Sequence, residues 1–252
     1  MSIKKNMLYG SLVLMFLSLL VIYPKLSLAD TFSDDFAENS KYTEISERMR
    51  EDGASEEDIQ NVITKLKKGE VLDSEKPVSS NKTISPFSLQ ETNEVQPELA
   101  ATLDNPVAVQ RFPDGSYKKV GIELEKSEIS VMSNTTSLYF NVYGTSPTAR
   151  ASYNTSAVID THLGASYITG VSGINIIAYG GNFLNEKLSI IRATEIRSKS
   201  IPAIAELYFK ETNFVGTNAS RRLTVEIGDH IADRYGIKVK YDDPNAATAG
   251  YK

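Results

Sequence analysis

His162 and His230 are the only histidines in this 252-residue chain, and each has acids nearby. His162 closes the run Asp160-Thr161-His162, which invites a Ser-His-Asp reading with Ser172. The segment Gly170-Val171-Ser172-Gly173 lacks the second spaced glycine of a nucleophile elbow, the sharp turn that lifts a serine hydroxyl clear of its sheet. A loop position without chemistry is the expectation for His162. His230 follows Gly228-Asp229, with Asp233 and Asp242-Asp243 downstream. One imidazole among scattered acids has neither the H-E-x-x-H spacing of zinc hydrolases nor the loop spacing of an EF-hand, and a weak calcium site at Asp242 and Asp243 stays open. Glu195 and Glu206 are the strand carboxylates to weigh for glycoside hydrolysis, which needs two acids close in space. Glu206 is out of phase with the apolar Ala203, Ala205 and Leu207 and reads as solvent-facing. Tyr139, Tyr143, Tyr153, Tyr167, Tyr179 and Tyr208 stand on or near strands and could stack sugars. With no Trp in the chain, cross-strand tyrosine pairing is the favoured reading. No catalytic, cofactor-binding or metal-binding residue is assigned, the ligand-binding residues are open, and no cofactor is expected.

Composition narrows the classes further. The chain has no Cys, which removes disulfides, thiolate metal sites and cysteine nucleophiles. Residues 1–29 read as a signal peptide: Lys4 and Lys5 precede the uncharged run Leu8 to Tyr23, and Ser27-Leu28-Ala29 supplies small residues at the −3 and −1 positions. That apolar run has 16 residues, short of the roughly 20 that span a bilayer. Removing 1–29 takes away three Lys and no acid, which leaves 24 bases against 32 acids, a net charge of −8. Such a balance disfavours nucleic acid, whose binding depends on neutralising phosphates with Lys and Arg. An exported chain without disulfide staples depends on its core alone, a pattern common in Gram-positive bacteria.

Stepping along the chain, residues 40–70 predict a helical hairpin. Ile45 and Met49 lie four apart; after Gly53, Ser55 is a good N-cap for a helix with Glu56, Glu57 and Asp58 in its first turn. Ile59, Val62, Ile63 and Leu66 then make one apolar face, and Gly69 stands at the C′ position. That face must meet its sister helix, the rest of the chain or a partner protein, since helices this short are marginal alone. Residues 71–106 read as a linker carrying Pro77, Pro86, Pro97 and Pro106, in which any strand is brief. From Val107 the apolar period becomes two. Pro113-Asp114-Gly115 turns a hairpin, Leu138, Phe140 and Val142 alternate with Tyr139, Asn141 and Tyr143, and Leu223, Val225 and Ile227 share a face. Seven to nine short strands over 107–245 predict a mainly β fold, an antiparallel two-sheet sandwich of immunoglobulin-like or jelly-roll-like type, with 246–252 a tail.

Three segments, Gly53 to Ser74, Arg111 to Ser116 and Tyr179 to Ala205, resemble a group of uncharacterised secreted proteins of Gram-positive bacteria. Gly180-Gly181, Arg192, Glu195, Pro202 and Ala203 carry the pattern, and the resemblance implies a helical hairpin followed by a β-rich domain, with no activity to transfer. Arg192 and Glu195, three apart, are expected on opposite faces of a strand. With Leu188 and Ile190 core-facing, Arg192 is expected on the core side, and Glu195 on the other, where its loss matters less.

The expected function is a secreted, extracellular, non-enzymatic binding or interaction protein, its partner a cell-surface protein or glycan, with the helical hairpin as a second contact. A membrane-active toxin or bacteriocin is the alternative, in which Ala151 to Ile159 and Ile174 to Ala178 refold as an amphipathic hairpin; a carbohydrate-active enzyme comes third. Stable membrane insertion of the mature form is not expected. If the first 29 residues are removed on export, mass spectrometry of the culture supernatant finds an N-terminus at Asp30; a full-length, membrane-retained chain contradicts it.

Overall fold

A computed structural model of the chain describes residues 28–76, 99–130, 134–160, 162, 164–212, 216 and 218–241. The expected signal peptide, apart from its last two residues, lies outside these, as do most of the expected linker, Asp242, Asp243 and the tail. The chain divides into two compact units, Met1–Ser40 and Lys41–Lys252, and apart from the start of the first helix the second contains everything below.

That second unit is a β sandwich whose two antiparallel sheets have five strands each. One sheet holds β2 (Val107–Arg111), β3 (Tyr117–Ser130), β4 (Thr135–Thr145), β5 (Ala149–Asp160) and β6 (Tyr167–Ala178), side by side in chain order. The other runs β1 (Ala100–Thr102), β10 (Ile237–Tyr241), β9 (Asn218–Ile227), β8 (Ala203–Thr212) and β7 (Asn182–Arg192). β2 to β6 and β7 to β10 are unbroken meanders joined by hairpins, while β1 adds to β10 from the other end of the chain. The inward faces follow the predicted alternation: Leu138, Phe140 and Val142 on β4 meet Leu207, Phe209, Leu223, Val225 and Ile227 from the facing sheet in one buried core. Full burial of each such side chain contributes roughly 1.5–3 kcal/mol. Two strands escape the sequence pattern. β1 has three residues, inside the expected linker, and β10 has five.

The chain crosses between the sheets at β1–β2 and at β6–β7. At the second crossing the sheets are stitched only at one end, where Tyr167 bridges Thr194, Ile168 N–H donates to the Ala193 carbonyl (2.7 Å) and Glu195 N–H to that of Ser166 (3.0 Å). Both strands at this seam are irregular. β6 carries two extra residues in its register on β5, and β7 two in its register on β8. Bulges of this kind bend and twist an edge so that it no longer templates another strand.

The two helices of the described residues are α1 (Leu28–Glu51) and α2 (Glu56–Lys67). α1 starts well before the expected residue 40, because no Gly or Pro interrupts Leu28 to Glu51. Ser55 caps α2 as predicted: its hydroxyl accepts from Asp58 N–H (3.1 Å) while the Asp58 carboxylate accepts from Ser55 N–H (3.3 Å). The apolar faces, Tyr42, Ile45 and Met49 from α1 with Ile59, Val62, Ile63 and Leu66 from α2, pack on each other and on Leu72, Tyr117 and Tyr179. The hairpin therefore plugs one end of the sandwich, and its apolar face is used inside the molecule.

Two buried carboxylates fasten the plug. Asp52, at the end of α1, accepts from the Tyr117 hydroxyl (2.7 Å), Lys119 Nζ (2.8 Å) and Arg48 Nη2 (3.2 Å). Burial, and after it the Asp52 charge, pushes the Tyr117 phenol far above its ordinary pKa, so it stays a donor. Asp114, in the β2–β3 turn, accepts from Lys65 Nζ (2.8 Å), Asp73 N–H (2.8 Å) and Ser116 N–H (3.0 Å). The neighbouring Gly115 has φ +82°, and a Cβ there would stand 2.6 Å from the Asp58 backbone, so only glycine lets the turn lie on α2.

Burial alone raises the pKa of Asp114, but Lys65, Ser116 and the backbone donors outweigh it and hold the carboxyl below its ordinary value. A carboxyl whose folded pKa is depressed adds stability that is fully present above its unfolded pKa, about 3.9, and disappears as pH falls through the lower folded value. Asp114→Asn is expected to cost about 1–3 kcal/mol at pH 7 and to flatten the acid limb of a melting-temperature profile below about pH 4; an unchanged profile contradicts this assignment.

Candidate functional site

Both histidines come to the end of the sandwich opposite the helices, on the 160–166 and 228–236 loops, and a third loop, 193–202, lies between. Glu195 organises the group. Only 4% exposed, its carboxylate accepts from Ser166 N–H (2.7 Å) through Oε1 and from Asp229 N–H (2.9 Å) through Oε2, tying a loop of one sheet to a loop of the other. Arg197 adds a second tie, donating to the Asp229 carboxylate (2.6 Å) and to the carbonyls of Gly164 (2.8 Å) and His162 (3.3 Å). Hydrogen bonding and the charge of Asp229 raise the Arg197 pKa further.

This arrangement reverses the expectation for Arg192 and Glu195. An extra residue in β7 between Ile190 and Arg192 puts Arg192 opposite Ile204, while Leu188 and Ile190 oppose Leu207 and Ala205. Arg192 thus leaves the core-facing side and donates to the Pro202 carbonyl (3.0 Å). Glu195 is the buried charge of the two, because the chain turns inward after the strand ends.

The other candidates do not assemble into catalytic sets. Ser172 opposes Asn154 in mid-sheet, on the order of 15–20 Å by strand rise from the loop of His162, whose own N–H donates to the Asp160 carboxylate. Glu206 opposes Ser189, a comparable distance from Glu195, and both its oxygens are held by Arg222 (3.0 and 3.1 Å). Asp233 closes its own loop, accepting from the N–H groups of Asp104, Tyr235 and Ile237. His230 is exposed, and among the described residues no three His, Asp or Glu side chains converge as a metal site. The tyrosines are spread rather than ranked. Tyr153 is fully buried and donates to the Ala205 carbonyl (3.2 Å), Tyr143 lies across Gly121, Tyr179 packs under the helices, and Tyr208 lies under Arg222. Ala151 to Ile159, expected as half of a refolding hairpin, alternates into the core as part of β5.

A surface that the sequence reading passed over lies at the β6–β7 corner. Eight of the eleven large apolar side chains standing exposed in the described residues fall between Tyr167 and Ile196, with Leu184 at 60% and Ile191 at 50%. Residues Asn182 to Lys187 are all exposed, so both faces of β7 stand clear of the core there. Their apolar runs, Phe183-Leu184 and Ile190-Ile191, break the period of two, which is the signal that was available in the sequence.

The fold is thus a two-sheet antiparallel meander capped by a helical hairpin. No family model matches the chain, and no curated protein does. A solved structure, the hypothetical protein lmo2686 from Listeria monocytogenes EGD-e, aligns with 57% of this chain and 95% of its own, at 17% identity and a TM-score of 0.29.

Glu195→Ala strips two backbone donors of their acceptor and is expected to cost about 2–5 kcal/mol, whereas Glu186→Ala, at an exposed position on the preceding strand β7, is expected to stay within about 0.5 kcal/mol. Equal denaturant midpoints for the two variants would refute the clamp.

Proposed function

We propose that this chain is an exported, non-enzymatic binding protein that meets a cell-surface component through the β6–β7 corner. The observation that carries the reading is the concentration of exposed apolar side chains on that one flank, since contiguous apolar patches on a soluble domain mark surfaces that meet something else. The bulges in both strands favour contact through side chains over addition of a strand. The charged, apolar and small-residue order of residues 1–29 supports export. The polar loop end supports a scaffold role over catalysis, because Glu195, Asp229 and Asp233 already hold backbone or arginine partners. The acidic balance of the chain weighs against nucleic acid.

A membrane-active protein is the second reading, favoured by the same apolar flank. No helix of the described residues is long and apolar enough to cross a membrane. Labelled protein incubated with intact Gram-positive cells and isolated walls tests the main reading. The double variant Leu184→Asp/Ile191→Asp replaces exposed side chains and is expected to keep its stability within about 1 kcal/mol while losing at least about tenfold in retention, the equivalent of 1.4 kcal/mol. Undiminished retention of the variant rejects the corner as the contact.

A further inference from the structure

The bases of the sandwich differ in their partners: Arg111 and Arg192 donate to backbone carbonyls, and Arg150 and Arg234 lie over tyrosine rings. Lys119, Arg221, Arg222, Lys238 and Lys240 are each in an ion pair. Lys187, Lys199 and Lys210 are exposed, and no ion pair engages them among the described residues. All three border the apolar corner. Lys187 lies on β7 itself, Lys210 is the register partner of Leu184, and Lys199 sits in the short turn between β7 and β8. Glu186 is the exposed acid beside them. In a chain of net charge −5, the flank that exposes apolar surface thus also carries three exposed cations without an ion pair.

From this we infer that the corner docks on a bilayer surface rich in anionic phospholipid, with Leu184 and Ile191 entering the headgroup boundary and Lys187, Lys199 and Lys210 facing the phosphates. The inference rests on the proposed binding role of this corner and names its ligand. Three features select lipid over other occupants. The cations match an anionic surface, each contributing about 1 kcal/mol near one. A second copy brings the same cations and so opposes itself. The bulged edges present no regular ladder for a peptide strand, and a strand exposed on both faces is a projection, which suits the deformable boundary of a bilayer.

The absence of Cys from the sequence gives a clean test, because a single Leu184→Cys can carry an environment-sensitive fluorophore in the full chain. Ser127→Cys, exposed on β3 of the other sheet, is the control. With phosphatidylglycerol-containing vesicles at low salt, the label at 184 is expected to shift to shorter wavelength and the label at 127 to stay unchanged. Lys187→Gln/Lys210→Gln should weaken the response by about fivefold per lysine, and 0.5 M salt should reduce it. The apolar run at residues 8–23 is common to all these proteins and cannot produce a shift confined to 184. No shift at 184, an equal shift with pure phosphatidylcholine, or a shift without vesicles that grows with protein concentration would each overturn the inference; the last would mean a second copy. Loss of cell retention in Leu184→Asp/Ile191→Asp without a vesicle response removes the lipid and leaves the binding role standing.

Discussion

A meander of antiparallel strands folded into two sheets has to carry its chain across from one sheet to the other, and the β6–β7 crossing sets most of what is distinctive here. The two strands pair outward to β5 and β8, so their facing edges are left over. Closing them fully would make a barrel, whereas leaving them straight and open would expose two ladders of unpaired backbone groups. The chain does neither. It stitches one end of the seam through the Tyr167–Thr194 bridge and bends the rest with two extra residues in each strand. Along this edge Phe183 and Ile190 stand exposed although they are in register with the buried Glu211 and Ala205.

Because there is no disulfide to fix the crossing, buried carboxylates take over that role at both ends of the sandwich. Glu195 links the loops beyond the seam, and Asp114 and Asp52 lock the helices against the opposite end. A carboxylate fits such a position better than an apolar side chain, since loops and turns present orphan N–H groups that burial alone leaves unsatisfied. The helical plug follows the same logic: Gly115 must admit α2, Asp114 must reach Lys65, and Tyr179 must pack beneath α1 and α2.

What could be read from the sequence is what depends on period and local capping. Leu138, Phe140 and Val142 announce a core strand because they alternate, and Ser55 announces a helix start because its hydroxyl and Asp58 satisfy each other within four residues. The site was less legible for reasons equally physical. A bulge inserts one residue without any fixed residue type, so the parity argument that placed Arg192 inward failed two residues short of its goal. Glu195 has its two partners 29 and 34 residues away in the chain, at positions that only the tertiary fold brings near. β1 and β10 were missed because three and five residues hold too little pattern, although their pairing completes the second sheet.

The corner unites two features that each have an ordinary explanation alone. Scattered exposed apolar residues are normal on a protein surface, and so are unpaired lysines. Their coincidence on one bulged flank contrasts with the outward face of β8, β9 and β10, where Arg222 pairs with Glu206 and Lys238 and Lys240 with Glu226. The corner sets three exposed lysines without an acid partner among the described residues beside the protruding Leu184 and Ile191, a combination expected if the counter-charge is supplied from outside. The helical plug bears on this as well. By packing on Tyr179 it fixes the β6–β7 turn, so the flank is held in place from beneath, which keeps low the ordering cost of binding there.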